Sequence, residues 1–118
     1  MQILAYKMRI KDFDNASKLP KLQAIIVESI LTCCNDRSSF HNLVLVLQRR
    51  LLSLSSPKPS YYTIKKHLFH LINCDLIKYS GQDRVYGLQD EGFELLEWIK
   101  KEKIKMNVDI KDILITIE

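Results

Sequence analysis

Apolar and polar residues alternate along the first eleven residues of the chain. Leu4, Tyr6, Met8 and Ile10 fall on one side of the extended segment, and Lys7, Arg9 and Lys11 fall on the other. A period of two is typical of a half-buried strand. Residues 107–118 end in a run rich in β-branched side chains and are also predicted to contain a strand. Whether these terminal strands pair within one chain or across a dimer stays open at this point.

Three helices are predicted between residues 20 and 74. The first extends from about Pro20 to Cys34, because its apolar positions follow the spacing of one helical face. Pro20 suits a first turn, where its missing N–H has no helical partner. The second extends from about Phe40 to Leu54, capped by Ser38 or Ser39, with a strand as the alternative for its first half. After a break at residues 55–60, the third extends from Tyr61 to about Cys74 with Ser60 as its N-cap.

A β-hairpin and a fourth helix follow. The segments 76–79 and 84–88 are predicted strands, joined by a turn at residues 80–83 in which Gly81 is expected to supply any positive φ. Asp90 is expected to cap the fourth helix, which extends from Glu91 to about Met106. The pattern as a whole predicts an α+β fold in one domain, residues 1–118. Its core spans about residues 20–106, with strand-like segments at 1–11 and 107–118.

The segment from Ser60 to Ile77 resembles part of a known family. Its features are the pair Thr63-Ile64, then Leu68 and Leu71, and then Leu76-Ile77. This spacing is similar to that of winged-helix regulators of the MarR, PadR and ArsR type. In those families a recognition helix leads through a Gly-Leu-Ile turn into a β wing. Asp75 stands where those families have glycine, and we expect it to tolerate the left-handed conformation.

The resemblance continues after the hairpin and covers roughly residues 20–100. Leu88 to Leu96, with Gly92 in the middle, looks like the helix start that follows the wing in those families. It implies a winged helix-turn-helix with a two-stranded β wing, and a DNA-binding transcription regulator.

The distribution of charge in the third helix favours the same function. Its core stripe is Ile64, Leu68, Leu71 and Ile72, and its other face is cationic and aromatic without an acid. The segment from Lys58 to Lys78 contains four lysines and one acidic residue, Asp75, which gives a local charge of +3. A recognition helix needs such a split between a core stripe and a cationic face. The candidate DNA-binding residues are Ser60, Tyr61, Tyr62, Thr63, Lys65, Lys66, His70 and Arg84.

The leading function is therefore sequence-specific binding of double-stranded DNA. The alternative is a winged helix used for protein–protein contact within a larger assembly. A plain solvated lysine-rich helix would explain the cations without either function. Phe69 is expected to pack against the wing. We predict a homodimer, because one recognition helix reads few base pairs and two-fold pairing is the common solution.

Signals of catalysis and metal binding are weak. The three glycines are scattered at positions 81, 87 and 92, so there is no glycine-rich phosphate loop. His67 and His70 are expected to face DNA or solvent rather than a metal ion. Cys33, Cys34 and Cys74 lack CxxC spacing and are expected to be reduced, structural residues. We therefore predict a protein without enzymatic activity or cofactor.

The net charge of +4 is compatible with a nucleic-acid partner and does not require one. No apolar run approaches the roughly 20 residues of a membrane helix, and the first residues do not resemble a secretory signal. The expected location is the cytoplasm, without membrane association.

Overall fold

A computed structural model describes residues 6–10, 21–54, 58–107 and 109–117. Its elements in chain order are β1 (Tyr6–Ile10), β2 (Leu22–Gln23), α1 (Ala24–Asn35), α2 (Phe40–Ser53), α3 (Tyr61–Asn73), β3 (Ile77–Ser80), β4 (Val85–Leu88), α4 (Asp90–Met106), a 3-10 turn (Ile110–Asp112) and β5 (Ile113–Ile117). The predicted α+β class is confirmed. The prediction that Pro20 opens the first helix lies outside the described residues. Within the described ranges, no helix is long and apolar enough to cross a membrane.

The central element of the core is α1, which is buried along most of its length. It packs against α2, α3, α4, β4 and β5. Its buried residues include a continuous run from Ala24 to Leu31. Because other elements pack on several sides of α1, the helix needs apolar residues on more than one face.

The second helix forms over its whole length, so the strand alternative for residues 40–47 is wrong. Ser39 caps it, because its Oγ accepts a hydrogen bond from the Asn42 N–H over 3.2 Å. A satisfied N-terminal N–H favours the helix at a segment whose apolar run alone did not decide between helix and strand. Buried positions then recur at Leu43, Leu47 and Leu51, which is one helical stripe.

The terminal strands pair with each other inside one chain. β5 lies in the middle of an antiparallel sheet of order β1-β5-β2, with Tyr6 opposite Ile117 and Ile10 opposite Ile113. Ile113, Ile115 and Ile117 are buried. The apolar residues of β5 therefore complete the core of this chain.

One segment predicted to be helical is a strand. Leu22 and Gln23 are extended, with Leu22 opposite Ile115 of β5, and α1 begins only at Ala24. The pairing with β5 and a hydrogen bond from the Gln23 N–H to His67 satisfy backbone groups that a helix would have used. Both partners are distant in sequence, so the local apolar spacing gave no sign of them.

The predicted β-hairpin is formed by β3 and β4, with Tyr79 opposite Tyr86. Its turn departs from the expectation, because no glycine has a positive φ and Arg84 takes the left-handed conformation at φ 55°. The chain between α1 and α2 adds a third partner. Ser38 and Tyr86 exchange backbone hydrogen bonds of 2.9 and 2.7 Å across an isolated antiparallel bridge.

The link from α3 to β3 is a compact C-cap. The Asp75 N–H donates to the Ile72 carbonyl and the Leu76 N–H to the Leu71 carbonyl, both over 3.0 Å. Asp75 has φ 60°, as predicted. This is the Schellman arrangement, which requires one left-handed residue after the helix. At α4 the predicted cap is wrong: the N-cap position is Gln89, not Asp90, and the Gln89 N–H donates to the Leu76 carbonyl over 3.0 Å.

A buried carboxylate joins three helices. Glu28 of α1 is 5% exposed, and its two oxygens accept hydrogen bonds from Arg50 of α2 and from Lys103 of α4, the latter over 3.0 Å. Arg50 also donates to the Ser29 hydroxyl over 2.7 Å. Burial alone raises the pKa of Glu28, and the two cationic partners outweigh it and hold that pKa below its ordinary value of 4.5. The carboxylate is thus charged and paired at neutral pH.

Candidate nucleic-acid interface

The helix α3 has two different faces, as its sequence predicts. Ile64, Leu68 and Leu71 are buried in the core. On the other side, Tyr61 is 61% and Tyr62 77% exposed, and Lys65 and Lys66 are exposed as well. The helix therefore presents aromatic rings and ammonium groups to the outside from a base fixed in the core.

The side chains of Ser60 and Thr63 form hydrogen bonds at the N-terminus of this helix. The Ser60 Oγ accepts a hydrogen bond from the Thr63 N–H over 3.1 Å and lies 3.0 Å from the Thr63 Oγ1. Ser60 is thereby confirmed as the N-cap. The two hydroxyls fix where α3 begins, which determines how Tyr61 and Tyr62 are presented.

The middle of the exposed face forms a shallow groove. It has a volume of about 400 Å³ and is lined by Leu22, Tyr62, Lys65, Lys66, Phe69, His70 and Asn73. Four of the predicted DNA-binding residues thus share one surface, which we call the α3 groove. No carboxylate belongs to its lining among the described residues. The groove combines apolar ring surface with two ammonium groups.

Phe69 is one of the residues that sequence reasoning assigned wrongly. It does not pack against the hairpin, since its ring is 53% exposed and lines the α3 groove. The helical spacing from Tyr62 and Lys65 already placed it on this face. The preference for burying a large ring led to the wrong expectation, although single exposed rings are common on protein surfaces.

His67 does not face outward, contrary to the expectation. It is 3% exposed, and both ring nitrogens are bonded: Nδ1 lies 2.8 Å from the Thr63 carbonyl oxygen, and Nε2 accepts from the Gln23 N–H over 2.9 Å. A polar side chain in the core is stable when its hydrogen bonds are satisfied in this way.

His70 lies partly buried at the edge of the α3 groove. Desolvation by burial lowers its pKa below 6.5, and the neighbouring Lys66 ammonium lowers it further. At neutral pH the imidazole is therefore uncharged and offers hydrogen-bonding nitrogens rather than a positive charge.

The start of α2 lies beside the start of α3. The ring of Phe40 stands edge-on to that of Tyr61, with centroids 6.3 Å apart, and the Lys65 Nζ lies 5.7 Å from the centre of the Phe40 ring. Phe40 was missed by sequence reasoning, because this contact joins two helices and leaves no periodic signal in either. It extends the exposed surface from α3 to the first turn of α2.

Arg84 lies on a separate part of the surface. It is exposed on the hairpin turn and does not line the α3 groove. Its neighbour Asp83 pairs with Arg37 across 2.7 Å, and this ion pair ties the hairpin turn to the loop after α1. Since both partners are exposed, the pair fixes geometry more than it adds stability.

The structure describes no candidate metal centre. Among the described residues, no three His, Cys, Asp or Glu side chains come close enough together to hold an ion. Burial raises the pKa of the Cys34 thiol to about 12, and the nearby Cys33 makes a smaller contribution in the same direction. Burial also raises the pKa values of Cys33 and Cys74.

Comparison with known proteins adds no assignment. No family model matches the chain, and no curated protein shows significant similarity to it.

Proposed function

We propose that this protein is a winged-helix protein that binds double-stranded DNA in a sequence-specific manner and regulates transcription. The observation that carries the proposal is the exposed face of α3. Tyr62, Lys65, Lys66 and Phe69 project from it around the α3 groove, while Ile64, Leu68 and Leu71 fix the opposite face in the core. A helix with this division can enter the major groove without loss of its packing.

The order of the elements supports the proposal. Three helices precede a two-stranded hairpin and a fourth helix follows it, which is the order that the sequence resemblance implies. The bridge between Ser38 and Tyr86 attaches the connection between α1 and α2 to the hairpin. The hairpin is thereby anchored next to the helices, and we assign it the role of a wing. The connection from α2 to α3 is longer than in a compact helix-turn-helix, and α3 packs on α1 and β3.

The adjacent starts of α2 and α3 suit contact with the DNA backbone. The first N–H groups of a helix carry partial positive charge and often bind phosphates. Here the two helix starts meet at Phe40 and Tyr61, and the Lys65 ammonium lies over the Phe40 ring. We assign this corner to phosphate contacts that set the register of α3 on the duplex.

The residues of α3 and the wing then take different roles. Lys65 and Lys66 contact phosphates or base edges, and the rings of Tyr62 and Phe69 meet thymine methyl groups or sugars. Arg84, exposed on the wing, contacts phosphate with little sequence preference. The proposed function is binding without catalysis or cofactor, in the cytoplasm.

The second candidate function is contact with another protein. It is favoured by the exposure of Tyr61, Tyr62 and Phe69, because aromatic rings are enriched in protein interfaces. The two candidates differ in their response to salt. Phosphate contacts release counterions, so DNA binding weakens steeply with salt, whereas contact through rings does not.

The deciding experiment measures affinity for random-sequence duplex DNA by fluorescence anisotropy at about 50 and about 200 mM salt. With about three phosphate contacts, the fourfold rise in salt weakens binding about 40-fold. A variant with Tyr62, Lys65, Lys66 and Arg84 changed to Ala should lose most of this affinity.

A matched control has Lys100, Lys101 and Lys105 of α4 changed to Ala. It removes the same number of positive charges from another surface and should bind nearly as well as the parent. If the folded α3 variant binds DNA as well as the parent does, the proposal is wrong, and the protein-contact function takes its place.

We also propose that the protein binds DNA as a homodimer. The terminal strands do not support this, because they pair within the chain. The remaining support is the two-fold symmetry common among DNA-binding proteins and the exposed Phe93 and Ile104 of α4. A monomeric mass by light scattering, both free and on DNA at tens of micromolar protein, would exclude the dimer.

A further inference from the structure

His67 connects α3 to the three-stranded sheet. Its Nε2 accepts from the Gln23 N–H over 2.9 Å, and its Nδ1 lies 2.8 Å from the Thr63 carbonyl in the first turn of α3. Gln23 is paired with Leu114 of β5, and its neighbour Leu22 lines the α3 groove. Because Leu22 is fully buried, it lies at the floor of the groove, and the imidazole links the first turn of α3 to the strand beneath that groove.

The two hydrogen bonds determine the state of the ring. A carbonyl only accepts, so Nδ1 carries the proton and donates to Thr63. A backbone N–H only donates, so Nε2 must present its lone pair to Gln23. Protonation of Nε2 would set two N–H donors against each other at 2.9 Å in the core. The link thus exists only with a neutral imidazole.

The charged groups around the ring oppose its protonation. Burial is the largest cause that lowers the pKa of His67 below 6.5. The Lys66 ammonium, and His70 when it is protonated, act in the same direction, while the bond to Thr63 opposes them. On the β2 side the nearest charged residue in sequence is Lys21, and β5 has no titratable side chain. The one carboxylate of α1, Glu28, is engaged with Arg50 and Lys103.

We propose that His67 is a positioning residue, which holds α3 and the Leu22 floor of its groove in the DNA-binding arrangement only while its imidazole is neutral, so that acidification releases DNA. This inference rests on the proposed DNA-binding function. Protonation breaks the bond to Gln23, and β2 and α3 then separate at the groove. The affinity for DNA falls with the fraction of molecules that keep the link.

The expected pH response has a distinctive sign. His70 lies at the groove, and its protonation adds a positive charge that strengthens binding to phosphates. Protonation of His67 acts in the opposite direction. A loss of DNA affinity on acidification is therefore opposite to the effect expected of His70.

The test measures the affinity of the full chain for random-sequence duplex DNA at about pH 8 and about pH 5.5, on either side of the ordinary histidine pKa. The parent should bind less tightly at the lower pH, by less than the roughly tenfold loss that an imidazole of ordinary pKa would give, because burial lowers the pKa of His67. His67→Gln keeps an acceptor for Gln23 and a donor for Thr63 but does not titrate, so it should bind as the parent does at the higher pH and lose nothing at the lower. His70→Gln, the control, should lose at least as much as the parent.

The inference is overturned if the parent keeps its affinity at the lower pH, or if the His67→Gln variant loses as much affinity as the parent.

Nitrogen-15 NMR of the parent without DNA gives an independent measurement that needs no variant to fold. It should show His67 protonated on Nδ1 alone, with the Gln23 amide signal shifting as the ring titrates below pH 6.5. A ring protonated at both nitrogens at neutral pH, or a Gln23 signal that does not follow it, overturns the link. Absence of DNA binding at about pH 8 overturns the proposed function, while the NMR titration still decides whether the link exists.

Discussion

Gly92 lies directly against the backbone of Leu76, where a Cβ atom at position 92 would stand 3.1 Å from the Leu76 carbonyl carbon and closer still to its oxygen. The same Cβ would stand 2.6 Å from the Leu88 Cδ1. The first turn of α4 thus rests on the C-cap of α3 and the end of β4, and only glycine permits this approach.

Gly92→Ala should therefore destabilise the protein by about 1–3 kcal/mol, because a backbone group cannot move aside as a side chain does. Urea unfolding measures the change. Gly81→Ala is the control, since a Cβ atom at position 81 would have the Tyr79 Cε2 as its nearest neighbour, at 4.0 Å. Equal stability of the Gly92→Ala protein and the parent would contradict the close approach.

The left-handed conformation of Asp75 gives a prediction for the C-cap of α3. With φ at 60°, glycine should be tolerated better than alanine. Asp75→Gly should be more stable than Asp75→Ala by about 1 kcal/mol. Thermal unfolding of the two variants side by side measures this difference, and a more stable alanine variant would be inconsistent with the Schellman cap.

Arg84 permits its charge to be separated from its backbone conformation. Arg84→Gly and Arg84→Ala remove the same charge, so each should reduce the salt slope of DNA binding by roughly one unit. Their stabilities should differ, because φ is 55° and glycine adopts that conformation without a Cβ penalty. We expect the glycine variant to be more stable by about 1 kcal/mol. If binding instead follows stability, Arg84 acts on the fold and not on phosphate.

The buried carboxylate of Glu28 should make the fold sensitive to acid. Its pKa is lower in the folded protein than in the unfolded chain, so its contribution to stability is fully present above about pH 4.5 and is lost as the pH falls through the lowered value. Glu28→Gln should cost about 2 kcal/mol at neutral pH. That is less than for a fully buried pair, because the Arg50 and Lys103 side chains are 31% and 36% exposed.

Urea unfolding of the parent and of Glu28→Gln at about pH 7 and about pH 3 measures this effect. The two stabilities should lie closer together at the lower pH, because the parent carboxyl is then partly protonated. A constant difference between them would show that Glu28 does not contribute through its charge. Glu94→Gln on the exposed face of α4 is the control.

The cysteines should be poorly reactive in the folded protein. Burial raises all three thiol pKa values, that of Cys34 to about 12, and the thiolate is the reactive form. An alkylating reagent at about pH 8 should modify Cys34 only at the rate of unfolding.

Substitution of all three cysteines by Ala should leave DNA binding intact with a modest loss of stability. Loss of binding on oxidation in the parent but not in this variant would indicate a redox role.

The sequence predicted best those structural features that depend only on residues within one element or its immediate neighbours in the chain. The Ser60 cap, the apolar stripe of α3 and the hairpin after it follow from local spacing, and the structure confirms all three. The same holds for the exposed Tyr62, Lys65 and Lys66, since a helix with a buried stripe leaves its other face outside.

The features that were predicted wrongly depend on distant partners. Leu22 and Gln23 form a strand because β5 and His67 offer hydrogen bonds from far along the chain. His67 is buried because those bonds satisfy its ring. In the hairpin turn, the left-handed position falls on Arg84, although a glycine lies three residues before it. In each case the pairing between two segments outweighs the conformational preference of either segment alone.

The position of β5 also affects how the molecule is made. Since β1 and β2 both pair with it, neither has its sheet partner until the ribosome has synthesised the chain through Ile117. At about 5–20 residues per second, Ile10 waits roughly 5–20 s for its neighbour, whereas the residues of α1 to α4 can meet earlier. The nascent chain therefore carries an unpaired strand, in which Lys7 and Arg9 alternate with apolar residues, while its helices assemble. Binding of a chaperone to β1 during that interval would protect it from aggregation.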